Sequence, residues 1–165
     1  MRTDTLWLEG MPEVIEARLY RPEWPEPIRF STYVPPDIIA EPGSSGAEHA
    51  VRFIANFAGR RNDDAVLALF VHPASTSEAE ARALARSVAE SRGLREHDAD
   101  AAPRFDWSIV EYGFRDCDDT GCLVGTVAVG RHGTRPFQVL VQYPQEYADG
   151  FSPRADYIIE ELRWY

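Results

Sequence analysis

The sequence contains no lysine, so all 17 of its basic side chains are arginines. Aspartate and glutamate number 27, which gives a formal net charge of −10 and a pI near 4.8. Binding to nucleic acid or to anionic lipid depends on clustered lysine and arginine side chains that displace counterions from phosphates. The acidic balance therefore predicts that neither nucleic acid nor an anionic membrane surface is a partner.

Long apolar runs are also lacking. The longest, at residues 65–71, falls far short of the about 18 consecutive apolar residues that a membrane-spanning helix needs, so we expect no transmembrane segment. The start of the chain lacks the apolar stretch of about 7–15 residues that marks a secretory leader. Two interpretations remain: a cytoplasmic protein, or the mature part of an exported protein whose leader, with or without a lipid anchor, lies outside the given sequence.

Motifs for nucleophilic or phosphate chemistry are missing. Ser44 and Ser45, between two glycines, do not match G-x-S-x-G, and the segment after them is strand-like. No glycine-rich loop opens a helix as a phosphate site requires. The four histidines share no spacing that places two on one face; they are His49, His72, His97 and His132. We therefore expect no catalytic residues, no metal and no other cofactor, with a hydrolase assembled from scattered residues as an alternative.

Cysteine is scarce: Cys117 and Cys122 flank a predicted hairpin turn of four residues. As cross-strand neighbours they would bring their Cα atoms within the about 4.4–6.8 Å that a disulfide needs. The spacing favours this disulfide. The alternatives are two free thiols and a metal site. A disulfide would favour export, because disulfides persist in oxidising compartments.

Acidic residues in the same turn resemble the first half of an EF-hand calcium loop, through Asp116, Asp118 and Thr120. The twelfth position of such a loop is a bidentate glutamate, but here it is Val127, and strands rather than helices flank the turn. The interpretation is a solvated acidic turn. The acidic run at residues 96–100 is likewise interpreted as a charged loop.

Periodicity predicts seven strands and two helices, in the order β-β-β-β-α-β-β-β-α. The strands span residues 14–20, 30–34, 50–57, 65–72, 105–114, 122–129 and 137–143, with a long loop at residues 59–64. Ser77 and Glu80 form a capping-box signature for a helix over residues 78–92. Ser152 followed by Pro153 signals the start of a closing helix.

Both helices are expected to be amphipathic and to pack on the sheet. The central helix carries an apolar stripe of Ala81, Leu84, Ala85 and Val88, and the closing helix carries Ile158, Leu162 and Tyr165, with Tyr157 beside them. An aspartate at Leu84 is therefore expected to unfold the protein. The helices are too few for repeated β-α-β units, so we predict a mainly antiparallel α/β (α+β) fold, with a half-open barrel as the alternative.

Seven of the twelve prolines lie within the first 42 residues. Residues 1–29 are therefore expected to form an extended segment with one short strand, belonging to the same domain as residues 30–165. The proline-rich first 42 residues also hold Trp7, Trp24 and Tyr33, which are candidates for binding a partner at an exposed apolar patch. Core packing is the alternative role for each of them.

The order of elements resembles the PsbP-like fold group. The resemblance is carried by residues 30–34 followed by Pro35, the single central helix, the late three-stranded meander and the closing segment at 158–164. It implies a single-domain α/β/α sandwich without shared catalytic residues, and a role in binding or assembly. DcrB-type bacterial envelope proteins, many of them lipoproteins, belong to this group, and so do cytoplasmic chaperones of type VI secretion effectors. We therefore expect a periplasmic or envelope protein with an unknown protein partner, and a cytoplasmic effector chaperone as the alternative.

Overall fold

The computed structural model describes residues 1–24, 28–43, 49–94 and 103–165. Its strands are β1 (Arg2–Leu8), β2 (Met11–Tyr20), β3 (Phe30–Val34), β4 (Ile38–Pro42), β5 (His49–Phe57), β6 (Arg60–Val71), β7 (Val110–Asp118), β8 (Gly121–His132), β9 (Arg135–Pro144) and β10 (Arg163–Trp164). The helices are α1 (Glu78–Glu90) and α2 (Ala148–Glu160), and a 3₁₀ turn at Gln145–Tyr147 precedes α2. The acidic run at residues 96–100 and the serines at positions 44 and 45 lie outside the described residues.

The strands form two antiparallel sheets. One has the order β4-β5-β6-β9-β8-β7, and the other has the order β1-β2-β3-β10. Helix α1 packs on one face of the six-stranded sheet, and α2 covers the opposite face, where it also contacts the four-stranded sheet. This arrangement confirms the predicted α+β class, with helices on both faces of an antiparallel sheet.

The main core lies between α2, β3 and the six-stranded sheet, where Phe30, Phe53 and Phe151 are each about 1% exposed. A second cluster fills the space under α1. A third joins the inner face of the β1–β2 hairpin to Tyr157 of α2. The amino-terminal segment, for which one strand was predicted, thus contributes two strands that pack on the last helix.

Helix α1 begins as predicted: Ser77 accepts a hydrogen bond from the Glu80 backbone, and the Glu80 carboxylate accepts one from the Ser77 backbone. The predicted stripe is wrong in one respect, because Leu84 is 51% exposed. The residues that face the sheet are Ala81, Ala85 and Ala89, spaced four apart. Leu84 precedes Ala85 by one residue, which turns its side chain about 100° away along the helix.

Helix α2 begins earlier than predicted, at Ala148, so Pro153 lies inside the helix. It ends at Glu160, which removes Leu162 and Tyr165 from the helix. The chain then extends, and Trp164 pairs with Phe30 as part of β10. The predicted long loop after β5 is a two-residue turn in which Ala58 and Gly59 both have positive φ, the conformation of a tight hairpin.

Candidate functional site

The β1–β2 hairpin carries large apolar side chains on the face opposite to the one that packs on Tyr157. Trp7 lies opposite Pro12 in the ladder, and Val14 is the diagonal neighbour of Trp7. Trp7 is 67% exposed and Val14 is 69% exposed. Met11, at the tip of the hairpin, is equally open, but it lies opposite Leu8 and so belongs to the other face. We call Trp7, Pro12 and Val14 the hairpin face.

Strand alternation explains why the hairpin is apolar on both sides. Leu6 and Leu8 point inward from β1, and Ile15 and Ala17 do so from β2, where they pack with Tyr157. This burial fixes the register of the hairpin, because a slip of one residue would exchange its two faces. The hairpin face is consequently held in place by the contacts that the inner face of the same hairpin makes with Tyr157.

A polar network fastens the start of β1 to the end of α2. Arg2 donates to both carboxylate oxygens of Glu161, at 2.8 and 3.0 Å, and forms an ion pair with Asp4. The Tyr157 hydroxyl donates to Asp4 Oδ2 at 3.2 Å. Burial, followed by the negative charge of Asp4, raises the pKa of Tyr157 to about 12. Tyr157 therefore stays protonated at neutral pH and acts here as a donor.

A cleft of about 730 Å³ lies between β1 and the outward side of α2. Trp7 and Glu9 line one side, and Asp149, Pro153 and Asp156 line the other. The carboxylate of Asp156 is paired with Arg104 at 2.7 Å. In the described part of the chain, neither Glu9 nor Asp149 forms an ion pair. The cleft is thus apolar at Trp7 and negatively charged around it.

The three aromatic residues predicted to bind a partner lie in different places. Trp24 is partly buried, with its ring centroid 5.1 Å from that of Phe30 and 5.4 Å from that of His49. Tyr33 packs against the inner side of the hairpin, under the Arg2 guanidinium. Trp7 is the one of the three that stands on the hairpin face. Partner binding stays a prediction for all three, and Trp7 is best placed for it.

Met11 and Val14 were not singled out from the sequence. The strand alternation at residues 14–20 contained a signal for Val14, since it shares a face with Glu16 and Arg18. An apolar residue on an otherwise charged strand face is a candidate for an exposed contact. Met11 gave no such signal, because its exposure depends on where the turn at Glu9 and Gly10 lies.

Cys117 and Cys122 are directly opposite each other on β7 and β8, with their Cα atoms 4.0 Å apart, and the structure joins them in a disulfide. Both belong to the solvent-facing end of this hairpin. The Arg115 guanidinium lies 3.2 Å from one sulfur and 3.5 Å from the other, and Gln145 accepts a hydrogen bond from it. The disulfide thus closes the end of a hairpin that backbone pairing already aligns.

Thiol counting tests this disulfide directly. In protein denatured without reductant we expect no reactive thiol, and two after reduction. Reduction should lower the free energy of unfolding by about 2 kcal/mol, since the closed loop is short. The Cys117→Ser, Cys122→Ser double variant should match the reduced protein in stability. Two reactive thiols in the unreduced protein would contradict the assignment.

In the acidic turn between these cysteines, a carboxylate forms hydrogen bonds within the turn itself. The Asp118 carboxylate accepts hydrogen bonds from the backbone and hydroxyl of Thr120 and from the backbone of Gly121. These bonds lower the pKa of Asp118. Across the described ranges, no group of three histidine, cysteine or acidic side chains is placed to hold a metal ion. The turn between the two cysteines therefore has the geometry of a capped turn.

A second cavity, of about 510 Å³, lies beside Phe105, Trp107 and Ile159. Below it the buried carboxylate of Glu111 accepts hydrogen bonds from the backbones of Arg104 and Phe105 and from the Ser108 hydroxyl. These donors hold residues 104–108 as a turn before β7, which is why the predicted strand begins at Val110 instead of residue 105. Glu111 is thus engaged in supporting the loop.

No helix in the described part of the chain is long and apolar enough to cross a membrane. Neither a protein-family model nor the sequence of a curated protein matches this chain.

Two solved structures resemble the fold. The cyanobacterial PsbP (CyanoP) from Synechocystis sp. PCC 6803 is 13% identical, covers 91% of this chain and 94% of its own, and gives a TM-score of 0.52. LpqN of Mycobacterium tuberculosis, described as involved in cell envelope biogenesis, is 12% identical, with 90% and 91% covered and a TM-score of 0.49. Together with the two antiparallel sheets and the two helices, the likeness to CyanoP shows that this chain has a PsbP-like fold.

Proposed function

We propose that this protein is a non-catalytic component of the bacterial cell envelope that binds another macromolecule through the hairpin face. The observation that carries the proposal is the exposure of Trp7 and Val14 on a hairpin whose other side is fixed against α2. Contiguous apolar side chains that remain open to solvent mark interaction sites. Tryptophan is also among the residues that contribute most to binding at interfaces.

The envelope location is supported by the solvent-facing disulfide between Cys117 and Cys122. Cytosolic reductants keep thiols reduced, whereas disulfides persist in exported proteins. A cytoplasmic effector chaperone, the alternative, would be expected to carry the two cysteines as thiols.

A non-catalytic role is supported by three carboxylates in or beside the cavities that are engaged within the protein. Glu111 supports a turn, Asp118 caps another, and Asp156 pairs with Arg104. A general acid or base needs a titratable group free to reach a substrate proton. These three side chains instead satisfy donors of the protein itself.

Site-specific photo-crosslinking in the source cells tests the binding surface. With p-benzoylphenylalanine in place of Trp7, we expect one dominant adduct with an envelope macromolecule. The matched control places the same group at Leu84, which is exposed on the far side of the six-stranded sheet. Adducts of equal yield at both positions, or none at position 7, would overturn the binding role. A secretion effector as the adduct would favour the cytoplasmic chaperone.

Two further measurements separate the alternatives. Alkylation of thiols before cell lysis, followed by fractionation, should find the protein oxidised and in the envelope fraction. Panels of esters, peptides and phosphate esters should show no turnover. Reproducible turnover of one substrate class would establish the hydrolase instead.

A further inference from the structure

The geometry points to strand addition at the free edge of β1, where an extended segment of another protein, carrying basic and apolar side chains, becomes a fifth strand of the four-stranded sheet. This inference rests on the proposed binding function and specifies its mode and the chemistry of the partner. Strand addition is a recurring way in which proteins capture extended peptides.

The backbone of β1 is available along its outer edge. Strand β1 ends the sheet and pairs over its whole length with β2. The two-residue turn at Glu9 and Gly10 makes Leu8 and Met11 a hydrogen-bonded pair. Hydrogen-bonded and open positions alternate along an antiparallel strand, so the backbones of Thr3, Thr5 and Trp7 face outward.

The contacts of Thr5 agree with this orientation. Its backbone N–H donates to the Asp4 carboxylate at 2.9 Å and not to β2. Among the described residues, no hydrogen bond outside the sheet ladder engages the backbone of Thr3 or Trp7. An incoming strand would therefore find open backbone groups on either side of Thr5.

The other sheet edges are shorter or partly covered in the described part of the chain. At β7, the Arg115 backbone donates to Gly93, and Leu94 forms a bridge with Phe114. Strand β10 has two residues, and Tyr165 beside it donates to Arg29. Strand β4 ends in a proline, and the Arg18 side chain binds the Ile38 carbonyl. Strand β1 contains no proline and no bulge, and its charged residues Arg2 and Asp4 are engaged on the inner face with α2 and the residue after it.

The cleft beside β1 sets the chemistry of the added strand. Its volume is within the about 300–1,000 Å³ of typical binding sites, and the Trp7 indole offers an apolar surface. Glu9 and Asp149 supply negative charge that no described ion pair neutralises. Charge complementarity thus favours an arginine or lysine in the added strand, next to an apolar side chain.

A second copy of this chain is a poor occupant of the same edge. Each copy would bring Asp4 and Glu9 of its β1 edge, and the neighbouring Asp149, toward the acidic residues at the same edge of its partner. Like charges at close cross-strand positions destabilise pairing. The net charge of −10 adds to this repulsion. The occupant is therefore a segment of a different protein.

The test uses the full chain and a displayed library of random linear peptides. We expect the enriched peptides to alternate apolar residues with arginine or lysine. Methylating one backbone nitrogen that faces β1 in a selected peptide should weaken binding about tenfold, because it removes a strand-to-strand hydrogen bond and adds a clash. Methylation of the next nitrogen, which faces away, is the matched control and should change the affinity little.

Protein variants test the same contacts from the other side. Thr5→Pro removes an outward N–H while leaving the β2 ladder intact, and it should weaken peptide binding about tenfold. Glu9→Gln with Asp149→Asn should weaken binding and reduce its dependence on salt. Leu84→Ser, remote from β1, should bind as the parent does. Should Thr5→Pro fail to fold, the methylated peptides decide the question on the unaltered protein.

Each outcome has a defined meaning. Enriched peptides that bind equally well after methylation, or that show no basic residues, would overturn strand addition. Strand addition by another protein would also be overturned if no peptide were enriched. It would be overturned as well if the chain formed dimers in solution that Thr5→Pro dissociates, because a second copy would then occupy the edge. A partner that crosslinks at position 7 but is insensitive to these changes would leave the proposed binding function standing and remove only its mode.

Discussion

Replacing Ala85 by aspartate should unfold the protein, whereas the same replacement at Leu84 should leave its melting temperature almost unchanged. Ala85 is fully buried between α1 and the six-stranded sheet, and Leu84 is exposed one residue earlier on the same helix. Burying an unpaired carboxylate costs several kcal/mol, a large part of the about 5–15 kcal/mol by which domains are stable.

Thermal unfolding followed by circular dichroism measures both variants. The Leu84 variant controls for helix propensity and net charge, because each of the two variants carries one new aspartate in α1, at neighbouring positions. Equal melting temperatures for the two would show that the buried face of α1 is not the one formed by Ala81, Ala85 and Ala89.

Replacing Gly125 by alanine should destabilise the protein by about 3 kcal/mol, which corresponds to about 6–12 °C in melting temperature. A Cβ at this position of β8 would overlap the carbonyl oxygen of Val141 on β9 and the ring of Phe114 on β7. The Val141 carbonyl is backbone in a central strand, so it cannot move aside without disturbing the ladder.

Gly113 on the adjacent strand β7 is the matched control. A Cβ there would meet no atom within 4 Å. Gly113→Ala should therefore keep or slightly raise the melting temperature, because alanine restricts the unfolded chain more than glycine does. Equal losses for the two alanine variants would argue against the close approach of β7, β8 and β9 at Gly125.

Local signals in the sequence were sufficient for those elements that local chemistry determines. The capping box at Ser77 and Glu80 defined the start of α1 because both hydrogen bonds form within one turn. The strand Phe30–Val34 was predicted with its correct ends because prolines follow it. The spacing of Cys117 and Cys122 was informative because their hairpin partners are close in sequence.

Features that depend on distant partners were not predictable in this way. Leu84 and Ala89 are equally compatible with an amphipathic helix, and only the position of the sheet decides which of them is buried. Strand β1 combines polar and apolar residues in a short segment and becomes recognisable as a strand through its pairing with β2. The hairpin face exists because β1 pairs with β2. The sequence therefore indicated Trp7 as a candidate through its residue type and its place in the chain, but it did not indicate which residues lie beside it.

The attachment of Arg2 to Glu161 has a consequence for the order in which the protein folds. These residues are 159 positions apart, so synthesis of the hairpin precedes synthesis of the helix that covers it by almost the whole chain. Until α2 emerges, the inner leucines of β1 lack the Tyr157 ring that covers them in the folded protein. Contacts of such long sequence separation slow folding and leave apolar strands open to aggregation. Folding of the first strand is thus completed only when one of the last elements has been made.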